Sequence, residues 1–147
     1  ISTKSALHIL HDYAHHPAAI RATLKAVSQH FKKRIIVVFQ PHRYSRLKSF
    51  FKDFTESFSL ADKLFITPVY SANEPLIPGY TSKDLQRAIK DTNHPSVSLL
   101  FDNYQPIFDC LHPNDLILFL GAGDISYIAN HFERFFKQKL FVNQNTQ

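Results

Sequence analysis

The chain predicts an α/β fold, a Rossmann-like three-layer domain with a mostly parallel sheet. Short apolar, β-branched runs, of which Ile35 to Phe39 is the clearest, read as strands covered on both faces. Between them lie stretches with apolar residues three and four apart, such as Ile20, Leu24, Val27 and Phe31, the spacing of a helix with one buried stripe. Strands that alternate with amphipathic helices imply right-handed crossovers, and hence a sheet whose strands run the same way.

In order, a strand is expected over residues 6–10 and a helix over 17–31, with Pro17 suited to a first helical turn. A strand over 35–39 leads to a helix over about 45–59, where Phe50, Phe54 and Phe58 fall at helical spacing, and then to a strand over 63–67. Residues 68–81 carry three prolines and Gly79, which predicts an ordered surface loop with a turn at Pro78-Gly79. Ser82 is the expected cap of a helix over 82–91. A strand over 97–101, a helix over 103–111, a strand over 116–120 and a helix over 125–139 complete the pattern. The domain is expected to fill 1–140, and the polar segment 141–147 to be a flexible, fraying tail.

A length of 147 residues suits one domain with a real core. The absence of methionine and the start at Ile1 suggest a piece of a longer polypeptide. Cys110 is the only cysteine, and there is no signal-like or membrane-length apolar run, so a reducing cytosol is the expected compartment. A net charge of +5 could serve a nucleic-acid or membrane partner. The basic residues are nevertheless dispersed, and the one run, Lys32-Lys33-Arg34, reads as a solvated helix end that complements the helix dipole. The aromatics are mostly Phe at helical spacing, a core pattern rather than a base-stacking platform. Neither nucleic acid nor membrane is expected as a partner.

Ligands of parallel sheets gather at the loops leaving the strands' carboxyl ends. Three such loops carry polar chemistry here. In the first, His11-Asp12-Tyr13-Ala14-His15-His16-Pro17, two histidines precede a helix whose amino end already favours anions. They bind a ligand there or merely cap the helix. Asp12, just beyond the expected strand tip, either accepts ribose hydroxyls or closes an Asx-type turn. In the second loop, His42, Arg43 and Arg46 form an anion clamp or a solvated surface cluster; arginine forks match carboxylate or phosphate in two-point geometry. Arg43 and Arg46 are three apart and share a side if a helix starts near Tyr44. The third loop, Gly121-Ala122-Gly123-Asp124, lacks the third glycine of a dinucleotide fingerprint, although its glycines would let backbone approach a substrate. Asp124 is the expected helix cap there, and its charge argues against phosphate at that helix end. A metal site built from His8, His11, His15 and His16 is disfavoured, because neighbouring side chains diverge and Asp12 is the only carboxylate nearby.

The first loop, the segment Val38 to Arg46, Ile77-Pro78-Gly79 and the stretch Gly121 to Ile125 resemble, in order and spacing, the C-terminal domain of the Mur ligase family. The resemblance runs from about Leu10 to Phe132, and the nine-residue match from Val38 to Arg46 favours the branch that joins L-alanine to UDP-N-acetylmuramate. It implies a cytoplasmic ligase of peptidoglycan synthesis using ATP and magnesium, in which an acyl phosphate is made and the alanine amine displaces phosphate. It further implies that Asp12 meets the ATP ribose and that Tyr13 and His15 lie near the phosphates and the amino acid. His42 and Arg46 would hold the L-alanine carboxylate, Arg43 would reach charged oxygens, and His16, Gly121, Ala122 and Gly123 would line the substrate site. No GxxxxGK[ST] loop occurs, so the phosphate cradle and most magnesium ligands are expected on a central ATP-binding domain of the parent chain, which would also carry an N-terminal UDP-binding domain. The piece alone should be inactive. His11 replaces a usual aspartate, and Ala18-Ala19 replace a Thr or Ser followed by Glu. The rivals are a sister ligase adding a recycled tripeptide, a non-catalytic nucleotide- or anion-binding module, and a metal hydrolase.

Overall fold

The computed structural model describes residues 7–92, 94 and 96–146. The chain runs β1 (His8–Asp12), α1 (Pro17–His30), β2 (Ile35–Phe39), α2 (Tyr44–Ser49), α3 (Phe51–Thr55), β3 (Lys63–Ile66), α4 (Ser82–Asp91), β4 (Val97–Leu99), α5 (Gln105–Cys110), β5 (Leu116–Leu120) and α6 (Ile125–Asn145). The five strands form one sheet in the order β1-β5-β2-β3-β4, and each neighbouring pair is parallel.

The period of two along the central strands sorts the helices into layers. Ile35, Val37 and Phe39 of β2 and Leu116, Leu118 and Leu120 of β5 point to one face, where α1, α3 and α4 bury Ile20, Leu24, Phe54, Leu85 and Ile89. Ile36, Val38, Ile117 and Phe119 point to the other, against Ile107 of α5 and Ile125, Ala129 and Phe132 of α6. β2 and β5 are buried at every position, as strands covered on both faces must be. The three-layer α/β expectation is met, and the crossovers place the helices as the alternation requires.

Several boundaries differ from the sequence expectation. β1 ends at Asp12 rather than residue 10, because its ladder with β5 continues to the end of that strand, pairing Asp12 with Leu120. Exposed polar residues are tolerated on this edge strand, so its length is set by the partner and not by an apolar run. Ala6, where the strand was expected to begin, lies outside the described residues. The helix expected over 45–59 breaks at Phe50, which leaves helical geometry at φ −123°, ψ 26° between α2 and α3. The Phe50 ring lies on His16 at 4.5 Å, while Phe51 packs edge-on against Tyr80, so the break sends successive rings to different partners. The strand expected over 97–101 stops at Leu99, and the helix expected over 103–111 covers Gln105–Cys110.

The last helix runs to Asn145, six residues past the expected end and through most of the segment read as a tail. No glycine or proline follows Asp124 to stop it. Glu133 and Lys137 also pair at 3.0 Å across one turn. Among the described residues, no helix is long and apolar enough to cross a membrane.

Candidate functional site

At the carboxyl edge, neighbouring strands send their chains to opposite faces. β2 feeds α2 in one layer, while adjacent β5 feeds α6 in the other. Loops that part in this way open a crevice, the usual ligand position in open α/β sheets. The loops after β1, β2 and β5 meet there, stitched by bonds from the Gly121 amide to the Asp12 carbonyl (3.2 Å) and from the Gln40 amide to the Leu120 carbonyl (2.9 Å).

In the first loop Asp12 Oδ1 accepts the Ala14 amide at 2.8 Å, an Asx turn, and the residue stays exposed. The turn engages Oδ1 of the carboxylate. Tyr13 is exposed, and its carbonyl accepts a hydrogen bond from His15 Nδ1 at 2.9 Å; a carbonyl only accepts, so that nitrogen is the donor. His16 is the cap of α1, its Nδ1 accepting the Ala18 amide at 3.3 Å while its ring lies on Phe50. His15 therefore faces the second loop, its ring 5.8 Å from that of His42. His16 is turned to helix capping.

The second loop extends β2 toward the β3–α4 loop. His42 bridges Tyr70, the Arg43 amide donates to the Tyr70 carbonyl, and the Tyr70 amide donates to the Pro41 carbonyl, both at 2.8 Å. The His42 and Tyr70 rings stack at 5.4 Å with a 9° tilt. Arg43 sits before α2 with φ 70°, a left-handed conformation uncommon for a side-chain-bearing residue and typical of functional loops. Because α2 starts at Tyr44, Arg43 and Arg46 fall a turn apart as expected. Arg46 Nη1 donates to His42 Nδ1 at 2.8 Å and to the His42 carbonyl at 3.0 Å. Guanidinium cannot accept, so Nδ1 of His42 carries no proton and Nε2–H remains its outward donor. Burial first, then Arg46, His15 and Arg43, push the His42 pKa below the ordinary histidine value, with Glu74 opposing. The imidazole thus stays neutral to lower pH than usual.

The third loop closes the crevice from the α6 side. The backbone of Asp124 caps α6, its carbonyl accepting the Ile128 amide, but its carboxylate makes no capping bond. It accepts instead from Gln40 Nε2, which corrects the expectation of a simple helix cap. Gly123 fits because a Cβ there would lie 2.5 Å from Tyr70 Cγ and 2.7 Å from Gln40 Oε1. Gly79 is needed for another reason: with φ 87° and open space around it, it completes the Ile77–Tyr80 turn expected from sequence.

The structure thus brings together Tyr13, His15, His42, Arg43 and Arg46, with Asp12 and the glycine loop alongside. His8 lies at the far end of β1 against Phe31 and Lys33. Among the described residues, no three of His, Cys, Asp or Glu come together to hold a metal. Gln40, Tyr70 and Glu74 are site residues that sequence reasoning missed. A glutamine closing a fully buried strand was the one legible signal among them.

A family profile described as Mur ligase, glutamate ligase domain, matches residues 1–123. The UDP-N-acetylmuramate–L-alanine ligase of Desulforapulum autotrophicum is 42% identical over 83% of this chain and 28% of that protein. The ligase of the same name from Sinorhizobium fredii is 42% identical over 82% of this chain and 26% of its own length. The chain therefore spans about a quarter of the length of the curated relatives it matches. Among solved structures, the UDP-N-acetylmuramate–alanine ligase of Thermotoga maritima superposes with a TM-score of 0.71 at 25% identity, over 94% of this chain and 28% of that one. A murein peptide ligase from Psychrobacter arcticus, at 21% identity and TM-score 0.58 over 89% of this chain and 28% of its own, shares the fold. With the family profile covering most of its length and relatives near 40% identity, the chain belongs to the Mur ligase family, as its glutamate ligase domain.

Proposed function

We propose that this chain is the amino-acid-binding domain of an ATP-dependent ligase that joins L-alanine to UDP-N-acetylmuramate in the cytoplasm. The observation that carries this reading is the pairing of Arg46 with His42 on the loop after β2, next in sequence to Arg43. Arg46 holds the histidine through Nη1 and leaves Nη2 and Nε for a carboxylate, while His42 Nε2–H offers a neutral donor to the same anion. The curated relatives carry the same activity in their names, which supports L-alanine over the tripeptide of the sister ligase.

ATP with magnesium supplies activation of the muramoyl carboxylate by phosphorylation. Asp12, with one carboxylate oxygen on the Ala14 amide and the other open, fits a ribose hydroxyl. The domain brings the amino acid in, neutralises its carboxylate and aligns its amine, work that is mainly positioning. A central ATP-binding domain and an N-terminal UDP-binding domain of the parent chain are its partners in this reading.

Steady-state kinetics of the complete enzyme, with each substrate varied in turn, test the assignment. Arg46→Ala and Arg46→Lys should both raise the KM for L-alanine by ~10-fold or more, because lysine keeps charge but cannot hold His42 and a carboxylate with one planar group. The KM values for ATP and UDP-N-acetylmuramate should change much less. Wild-type behaviour with lysine, or a defect confined to ATP, would overturn the assignment.

A further inference from the structure

Helix α2 lacks a cap of its own. Arg43 precedes it without a side-chain capping bond, and no acidic residue lies in its first turn. An exposed first-turn amide then has no local partner. The structure supplies one from 29 residues away: Glu74 accepts the Ser45 amide with one carboxylate oxygen at 3.0 Å and the Ser45 hydroxyl with the other at 2.7 Å.

The loop that delivers Glu74 is built for that contact. The turn Ser71 to Glu74 closes with a 3.0 Å bond from the Glu74 amide to the Ser71 carbonyl, and both central residues are left-handed, Ala72 at φ 49° and Asn73 at φ 67°. Alanine adopts this conformation at a steric cost, so surrounding contacts must enforce it. Those contacts include the bridge between His42 and Tyr70, which fixes the start of this loop to the Arg43 loop. The positive charges of Arg43 and Arg46 also lower the Glu74 carboxyl, less than its bonds to Ser45 do. The bonds to Ser45 are the main reason that this carboxyl lies below the usual carboxylate range.

We propose that Glu74 is a positioning residue of the amino-acid site: reaching over from the β3–α4 loop, it clamps the first turn of α2 and thereby sets the aim of Arg43 and Arg46 at the substrate carboxylate. The proposal rests on the reading that Arg46 binds that carboxylate and that Arg43 reaches charged oxygens beside it. A six-residue helix cannot hold its own first turn, since helices this short are unstable alone. Leu47 anchors the later part of α2 in the core, so removing the clamp loosens the arginines without unfolding the domain.

The test is kinetic, on the complete enzyme with L-alanine, ATP and UDP-N-acetylmuramate each varied. Glu74→Ala should raise the KM for L-alanine about 5-fold, the loss expected from about one net hydrogen bond, with kcat and the other two KM values within about twofold. Glu74→Gln should recover most of the defect, because its amide oxygen accepts the Ser45 amide while its NH2 group donates to the Ser45 hydroxyl. Adding Ser45→Ala to Glu74→Ala should cause no further loss. A uniform rise in all three KM values, a Gln variant as defective as Ala, or an unchanged alanine KM beside a defective Arg46→Ala enzyme would each overturn the clamp while leaving the site assignment standing. If Arg46→Ala itself leaves the alanine KM unchanged, the reading of the site fails, and the role of Glu74 fails with it.

Discussion

Gly123 is the residue at which the crevice is most tightly built. Its missing side chain is the space in which the Tyr70 ring and the Gln40 amide lie, and Tyr70 in turn forms the floor on which His42 stacks. Gly123→Ala therefore presses on the Tyr70 ring and on a buried amide that has little room to yield, because Gln40 is 4% exposed and already bonded to Asp124. The substitution should cost ~1–3 kcal/mol, as overpacking does, read as a lower urea midpoint with an unchanged slope. A variant as stable as wild type would show that the ring moves aside freely. At this scale the sequence was legible where chemistry is contiguous. His42, Arg43 and Arg46 stand in one run after an unmistakable strand, so their meeting needed only the strand end and a helix start. Glu74 had no such signal, because its partner Ser45 is 29 positions away and only the fold brings them together. His16 could be read two ways; its Nδ1 accepts the Ala18 amide and its ring meets Phe50 in a T-shaped contact, neither of which local spacing announces.

Among the elements, α4 shows how a boundary can be right for the wrong residue. The helix covers Ser82–Asp91, the expected span, but its cap is Thr81 and not Ser82. Thr81 Oγ1 accepts the Asp84 amide while Asp84 accepts the Thr81 amide at 2.9 Å, a reciprocal capping box. Ser82 is inside the helix, and its hydroxyl donates to the Thr67 carbonyl, tying α4 to the end of β3. Thr81→Ala should cost about 1 kcal/mol, measured by thermal or chemical unfolding. It should also change the acid limb of the stability curve. The Thr81 hydroxyl, then the Thr81 amide, hold the Asp84 carboxyl below its ordinary value. A depressed carboxylate contributes stability above its unfolded pKa, about 3.9, and loses it as pH falls through the lower native value. Without Thr81 Oγ1 that acid-side loss should shrink, and an unaltered acid limb would count against the capping box. The lengths of β2 and β5 were legible because both are uniformly apolar and buried. β1 and α6 were not, because one takes its length from a ladder partner and the other runs on through exposed residues that contain no helix breaker.

On the scale of the whole molecule, the layered fold turns one edge of a parallel sheet into a collection of anion donors. An imidazole donor comes from the β2 loop, guanidinium forks from the start of α2, and glycine backbone from the β5 loop. In the proposed function such a surface binds and aligns a carboxylate. It does not by itself bring a phosphoryl group to a carboxylate, which in nucleotide-using enzymes calls for a cradle of backbone amides, a lysine and bound magnesium. The three glycines of this chain stand at 79, 121 and 123, and none begins a GxxxxGK[ST] loop. The 147-residue chain purified alone should therefore release no phosphate from ATP, with or without L-alanine. Phosphate release is the measurement, and the Asp12→Ala form of the same chain is the control, since contaminating ATPases ignore that substitution. Hydrolysis that persists in the Asp12→Ala form would be contamination. Hydrolysis that disappears with Asp12 would show that the crevice carries out chemistry unaided, and the division of labour between an aligning domain and a separate phosphate-binding domain would have to be abandoned.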